Sequence, residues 1–413
     1  MNTHRRHLLQ RLGQGAGSLA LAPWLAACGG GSADETRAAD VAVDAATATQ
    51  AAATADGTAK ALAAAPAAAL PAGRMPDEAE PPAATWMAMG VTPTIWGRRL
   101  AAQAQQAVAS VANAVVDFEA VRLLVRPADL ATARGLCDAR VQLLSCALDD
   151  LWLRDSGCVF VKPPASSSNT NAGLNAVNFN FNGWGGKQRS SQDKKVAAFM
   201  ASKTAAPLLS TQLVLEGGSL EVDGHGTALV TESAVLNRNR NPGWTKAAVE
   251  TELKRLLGLR KIIWLPGITG RDITDGHIDF YARFVRPGVV VAARDDEPSS
   301  YDYAVTRRHL DILRSASDAD GRKLQVVELP APSQVRPAWR SAWNAGEFAA
   351  GYVNFYVVNG AVLVPEFGDE TADTLAQDRL AALYPGREVV PLNIDAIAAG
   401  GGGIHCMTQQ QPA

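Results

Sequence analysis

From about residue 74 onward, apolar positions recur at two alternating spacings. Within 96–118, Val108, Val111 and Val115 fall on one face at intervals of three and four, which predicts a helix. The next apolar run, 120–127, is short, rich in Val and Leu and stopped by Pro127, which predicts a strand. The alternation continues with helix 128–137, strand 141–148, and a strand from 177 that ends on glycines by 186. Helix 246–259, strand 261–267 and a hairpin over 279–294 about Pro287–Gly288 follow, then helix 305–316 and strand 324–330. Two strands in 351–368 meet at Asn359–Gly360, a pair that predicts a type I′ turn, before helix 370–386 and strand 387–393.

The order hairpin, helix, strand occurs over 283–330 and again over 352–393, and a third copy is legible over 214–265. Residue identity between copies is low, but element order is the same. Units of ββαβ type bury a core only against neighbours, which suggests a radial arrangement with function at its centre. One open α/β sheet satisfies the same order.

The first 73 residues lack this pattern. Arg5-Arg6 precedes a weakly apolar stretch and then Leu25-Ala26-Ala27-Cys28. The first pair resembles a twin-arginine export signal, and the second resembles a lipoprotein box in which Cys28 is lipidated. Residues 1–28 are therefore expected to be an export signal, and the protein to be periplasmic and anchored through Cys28. Residues 29–73 are Ala, Thr, Asp and Gly with almost no large apolar side chain, which predicts a disordered tether. The catalytic domain is expected over 74–413.

In the chain as a whole, 47% of residues are hydrophobic and 19% charged, an ordinary globular balance, and a net charge of −2 argues against a nucleic-acid surface. No CxxC, HExxH, GxSxG or P-loop is present, so zinc, serine-hydrolase and nucleotide chemistries lack their frames. Of the remaining cysteines, a Cys137–Cys146 bridge and free thiols at Cys137, Cys146 and Cys158 both remain open.

Four polar segments are not explained by turns alone. The segment 149–157, DDLWLRDSG, follows a strand with three aspartates, an arginine and a tryptophan. In LEGGSLEVDGHGTALVTE, 215–232, Glu216 precedes two glycines. In DITDGHIDFYARF, 272–284, His277 and Asp279 are two apart, so a strand there would present both on one face. The terminal GGGGIHC, 400–406, sets Cys406 behind four glycines, which permit close backbone approach or positive φ. On an extended chain His405 and Cys406 would point to opposite faces.

Together with MPDEAEPPAATWMA, FNGWGGK, NRNRNP and YVNFYVVNGAVLVPEFGD, these segments resemble the agmatine deiminase and bacterial-type peptidyl-arginine deiminase family of guanidine-modifying enzymes. The resemblance runs from about Met75 to Pro412. It implies a five-bladed α/β propeller, the pentein fold, of ββαβ units about a pseudo-fivefold axis. It places the nucleophile at Cys406, the general acid and base at His277, and the guanidinium-binding carboxylates at Asp155 and Asp279. Glu216 and Asn354 match further pocket positions, and Trp152 and Asp150 are additional candidates for substrate binding. The chain departs from the family pattern at Cys158, Ile273 and Gly351, none of them a proposed catalytic residue.

The implied reaction is hydrolytic deimination, with no cofactor and no metal. Agmatine, converted to N-carbamoylputrescine and ammonia, is the expected substrate, with Glu216 suited to its distal amine. Peptidyl-arginine is the alternative substrate, and a non-catalytic propeller that binds guanidinium ligands is the alternative function. The expected partners are thus a small cationic guanidino compound or an arginine peptide.

Overall fold

The computed structural model describes residues 73–164 and 173–413. The expected export signal, Cys28 and nearly all of the expected tether lie outside the described residues. Gly73, at φ 152°, packs against the backbone of Lys162, and Arg74 pairs with Lys162.

The described residues form a mixed α/β architecture with five separate small sheets. The first contains β1 (Pro82–Met89), β2 (Val121–Val125) and β3 (Gln142–Ser145). The second contains β4 (Val159–Val161), β5 (Asn175–Asn178) and β6 (Leu208–Ser210). β7 (Glu221–Val222), β8 (Thr227–Thr231) and β9 (Lys261–Leu265) form the third. β10 (Ala282–Arg286), β11 (Val289–Arg294) and β12 (Gln325–Pro330) form the fourth, and β13 (Tyr356–Val358), β14 (Ala361–Glu366) and β15 (Glu388–Asn393) the fifth. In sheets two to five the first pair is antiparallel and the second parallel. A parallel neighbour cannot be reached by a tight turn, so each of these units spends a helix on the crossover: Val196–Thr204, Lys246–Leu257, Asp302–Ser315 and Glu370–Leu383.

The first sheet is completed from the other end of the chain. β16 (Thr408–Pro412) lies antiparallel to β1, with Thr408 opposite Met87 and Gln410 opposite Thr85. The polar sequence TQQQP hides this strand from hydrophobic patterning. Two of its three glutamines are held by side chains instead: Trp86 Nε1 donates to Gln411 Oε1 at 2.9 Å and Arg154 Nη1 to Gln410 Oε1 at 2.8 Å.

Local rules account for both ends of the second crossover helix. Thr245 caps Lys246–Leu257 by accepting from the Ala248 N–H at 3.2 Å, and Gly258 ends it at φ 68°. Val289–Arg294 is buried along nearly its whole length, as suits a central strand covered on both faces. The turn at Asn359–Gly360 differs from expectation. It has two residues, since Val358 pairs with Ala361, but only Gly360 has positive φ, whereas type I′ needs it at both positions. Asn359 is held instead by bonds from its N–H to Glu119 Oε2 at 2.8 Å and from Nδ2 to the Pro82 carbonyl at 2.9 Å.

Just before the first strand of each sheet the chain makes one tight helical turn. These are Leu153–Ser156 before β4, Gly217–Ser219 before β7, Ile278–Phe280 before β10, Tyr352–Asn354 before β13 and His405–Met407 before β16. Turn 405–407 touches 153–156, which touches 217–219, which touches 278–280, which touches 352–354. Asn354 closes the circuit: its Oδ1 accepts from the Cys406 N–H and its Nδ2 donates to Cys406 Sγ, both at 3.3 Å.

Candidate active site

Each of the five turns delivers polar groups to one buried space. His277 and Asp279 do not lie on a strand, as expected from their spacing. His277 is the residue before the turn Ile278–Phe280, and Asp279 lies within it. A tight turn rather than a pleat brings both to the same space, and β10 begins only at Ala282. His405 and Cys406 likewise share a helical turn instead of pointing apart on an extended chain.

The convergence is centred on Gly218. A methyl at its Cβ position would lie 2.6 Å from His277 Nδ1, 2.7 Å from Asp155 Oδ1 and 3.1 Å from Asp279 Oδ2. Three polar atoms from two turns thus crowd one point on a third turn, which only a glycine can occupy without displacing them. Asp279 Oδ2 extends the arrangement to the sulfur, with Cys406 Sγ 3.5 Å away. Cys406, Asp155, His277 and Asp279 are all buried.

The glycine run serves to bring Cys406 in. Gly401 is left-handed at φ 93°. At Gly400 a Cβ would collide with the Trp96 ring, at Gly402 with the Trp152 ring and at Gly403 with Asn354. Trp96 and Trp152 stack with ring centroids 5.8 Å apart, so the segment threads between this aromatic pair and Asn354.

Charge around His277 is balanced at close range. Its Nε2 is 3.1 Å from Glu216 Oε2 and its Nδ1 3.6 Å from Asp155 Oδ1, the latter beyond hydrogen-bond reach. Nδ1 has no hydrogen-bond partner among the described residues. Burial opposes a charged ring, but the carboxylates of Asp155, Glu216 and Asp279 outweigh it and raise the His277 pKa above the ordinary histidine value. Burial alone would raise the Glu216 carboxyl. The charge of Arg240, with the hydrogen bond and charge of His277, holds it at about 2. Arg240 Nε binds Glu216 at 2.8 Å and Arg240 Nη1 binds Asp275 Oδ2 at 2.8 Å, while Lys187 Nζ meets Asp275 Oδ1 at 2.7 Å. Arg240 and Lys187 thereby face Glu216 and Asp275, and the raised pKa of His277 favours its charged form beside Asp155 and Glu216.

Two expectations change here. Glu216 is buried and engaged by Arg240 and His277, so its charge is not available for a distal amine; it orients and charges the histidine. The Asp150 carboxylate is taken up by Trp96 Nε1 at 2.8 Å, Gln188 Nε2 at 2.9 Å and the Leu151 N–H at 2.8 Å, and it supports the aromatic wall. Burial pushes it to about 6. Asn354 reaches the sulfur itself, and Trp152 packs on the glycine run. Cys137, Cys146, Cys158 and Cys406 are all free thiols, so the Cys137–Cys146 bridge is not formed.

Residues 74–412 match the Porphyromonas-type peptidyl-arginine deiminases. The chain belongs to this family. A relative from Streptomyces coelicolor is 43% identical over 347 residues, spanning 82% of this chain and 98% of its own. The agmatine deiminase of Stutzerimonas stutzeri is 38% identical, spanning 82% of this chain and 95% of its own. Among solved structures, the agmatine deiminase of Enterococcus faecalis superposes with a TM-score of 0.75 at 30% identity, covering 83% of this chain and 96% of that one. The chain is an enzyme of the deiminase type.

Several residues of this deiminase-family site were not assigned roles from sequence. Trp184 donates Nε1 to Asp155 Oδ2 at 2.9 Å from a backbone at φ 56°, a costly conformation for so large a residue. Asp275, at φ 63°, is similarly strained while holding Arg240 and Lys187. Gly218, Arg240, His405 and Glu78 complete the set. All lie inside the segments that carry the family resemblance, but nothing in their spacing tells a clamp from a turn.

Proposed function

We propose that this protein hydrolyses a guanidinium C–N bond through a covalent intermediate on Cys406, with agmatine as substrate and N-carbamoylputrescine and ammonia as products. The observation that carries the reading is the meeting of His277 Nδ1, Asp155 Oδ1 and Asp279 Oδ2 over Gly218, with Cys406 Sγ beside the same Asp279 oxygen.

A guanidinium is a permanent cation with a planar fork of N–H donors, and paired carboxylates suit it. Asp155 and Asp279 bind the fork and keep positive charge on its carbon. The Cys406 thiolate attacks that carbon, forming a C–S bond. The tetrahedral adduct collapses as His277 gives its proton to the departing amino group, and ammonia leaves. The product of this half is an S-alkylthiouronium on Cys406. His277, now neutral, takes a proton from water, whose oxygen adds to the same carbon. The C–S bond breaks, restoring the thiolate and releasing the ureido product. The net change is substrate plus water to ureido compound plus ammonia. A raised His277 pKa fits this order, since the first step needs the ring protonated.

The agmatine reading is supported by the names of the similar proteins. The arginine pair and the box at Cys28 favour a second one: an exported, membrane-anchored enzyme that acts on peptidyl-arginine. Purified protein should release ammonia and a ureido product from agmatine faster than from a blocked arginine peptide or free arginine, and Cys406→Ala should abolish that release. Faster turnover of the peptide moves the assignment to the second reading; turnover retained by Cys406→Ala overturns the mechanism. A non-catalytic guanidinium binder would turn over none of the three. The four ββαβ sheets, the first sheet completed by β16, and their closed circuit of turns support a five-bladed propeller with the site on its axis.

A further inference from the structure

The residue beside the nucleophile is not used in that reaction, yet it is the most tightly held histidine near it. His405 Nδ1 is 2.9 Å from Asp279 Oδ2, and its Nε2 is 3.0 Å from Glu78 Oε2. Both contacts are made to carboxylate oxygens, so both are hydrogen bonds only when each ring nitrogen carries a hydrogen. The His405 carbonyl accepts from Arg154 Nε at 3.2 Å, which anchors the turn that carries Cys406.

The charges behind His405 fit the same state. Glu78 meets Arg283 Nη2 at 2.8 Å and Arg154 Nη2 at 3.1 Å. Glu221 accepts from Arg283 Nε at 2.7 Å and the Phe284 N–H at 2.8 Å. All these side chains are buried. Asp279, Glu78 and Glu221 are three carboxylates, and Arg154 and Arg283 are two cations. The sum is zero only if His405 is the third, and an unmatched buried charge is costly.

Asp279 has a conflict that this cation resolves. Its Oδ2 lies 3.5 Å from Cys406 Sγ, where a carboxylate repels a thiolate. We infer that His405 is a positioning residue: as an imidazolium clamped between Asp279 and Glu78, it fixes the orientation of Asp279 and cancels its charge, so that Cys406 can be a thiolate before substrate arrives. His277 and Asp155 face the same space across Gly218, and His277 supplies the other nearby positive charge. With both histidines charged, a Cys406 thiolate leaves one net negative charge, which an incoming guanidinium neutralises.

This inference rests on Cys406 being the nucleophile, and its test separates the two. Iodoacetamide alkylation of Cys406 in the resting enzyme, followed by mass spectrometry as a function of pH, reads thiolate formation without substrate. His405→Asn keeps an amide donor near the Nδ1 position and removes the charge. It should move the alkylation midpoint up by about one pH unit or more, with kcat reduced more than KM is raised. In an Asp279→Asn background the same substitution should move the midpoint by much less, because the partner charge is gone. His405→Lys, which restores a cation, should recover part of the shift. An unchanged midpoint in His405→Asn, or an equal shift with and without the Asp279 carboxylate, overturns the inference while leaving the deiminase mechanism standing. Should the variants fail to fold, nitrogen-15 NMR of the intact enzyme at neutral pH still decides: two protonated ring nitrogens at His405 support the inference, and one bare nitrogen overturns it.

Discussion

His277 and His405 are both buried and both lie between two carboxylates, yet the slack around them differs. His277 is tight on one side, 3.1 Å from Glu216, and loose on the other, 3.6 Å from Asp155, where its Nδ1 packs over Gly218. His405 is tight on both sides, at 2.9 and 3.0 Å. A proton on the loose nitrogen of His277 can go to a substrate, whereas a proton on either nitrogen of His405 already has a fixed acceptor. One residue type in one kind of environment is thus set to transfer a proton or to hold one, by about half an ångström of room.

The comparison can be broken most severely at the loose histidine. His277→Ala should lower kcat by about 10²–10⁴-fold, a far larger loss than His405→Asn causes. Equal losses in steady-state kinetics would mean that the two histidines are not different in kind.

Next comes the glycine itself. Gly218 does not have positive φ, so an alanine backbone fits, but its methyl would stand 2.6 Å from His277 Nδ1. Gly218→Ala should cost roughly 100-fold in kcat/KM, and because the methyl displaces buried His277 and Asp155 the thermal melting midpoint should fall as well. Full activity would show that the close approach of His277, Asp155 and Asp279 to Gly218 is not needed for the reaction.

A smaller effect is expected from the tight side. Glu216 helps to raise the His277 pKa, so the protonated ring persists to higher pH than an ordinary histidine. Glu216→Gln removes that charge, and the alkaline limb of the kcat/KM profile should move down by about one pH unit. An upward or absent shift would contradict the role given to Glu216.

The smallest effect is on stability. The Glu216 carboxyl is held at about 2 in the folded protein, below its unfolded value. Its contribution is therefore complete above pH ~4.5 and is lost as pH falls toward 2. The raised His277 has the opposite sign: its contribution is present below its unfolded value and lost as pH rises through the folded one. Denaturant titrations should show Glu216→Gln with a flatter acid limb than the parent chain; an unchanged slope would deny the coupling.

Periodicity located helix and strand where one face or both faces of an element are apolar. The Lys246–Leu257 helix and the central strands β11 and β14 fell within a few residues of expectation. It missed β16, whose sequence is polar and whose Gln410 and Gln411 find their partners on Trp86, Arg122 and Arg154, far away in the chain. It also cast His277 and Asp279 as strand neighbours, because a two-residue spacing has the same reading in a pleat and beside a tight turn. Glu216 was expected to hold an amine, since a buried arginine partner 24 positions away leaves no local signature.

By itself, the sequence determined the units and the chemistry available to them: patterned ββαβ segments, a flexible run before one cysteine, and motifs enough to name a family. Those properties are local, arising from side-chain spacing and from residue types that few other roles would demand. Only the tertiary structure decided which carboxylate pairs with which cation and which histidine keeps room to move. These depend on distances between turns far apart in the chain, and a shift of half an ångström, invisible in spacing, changes a proton carrier into a clamp.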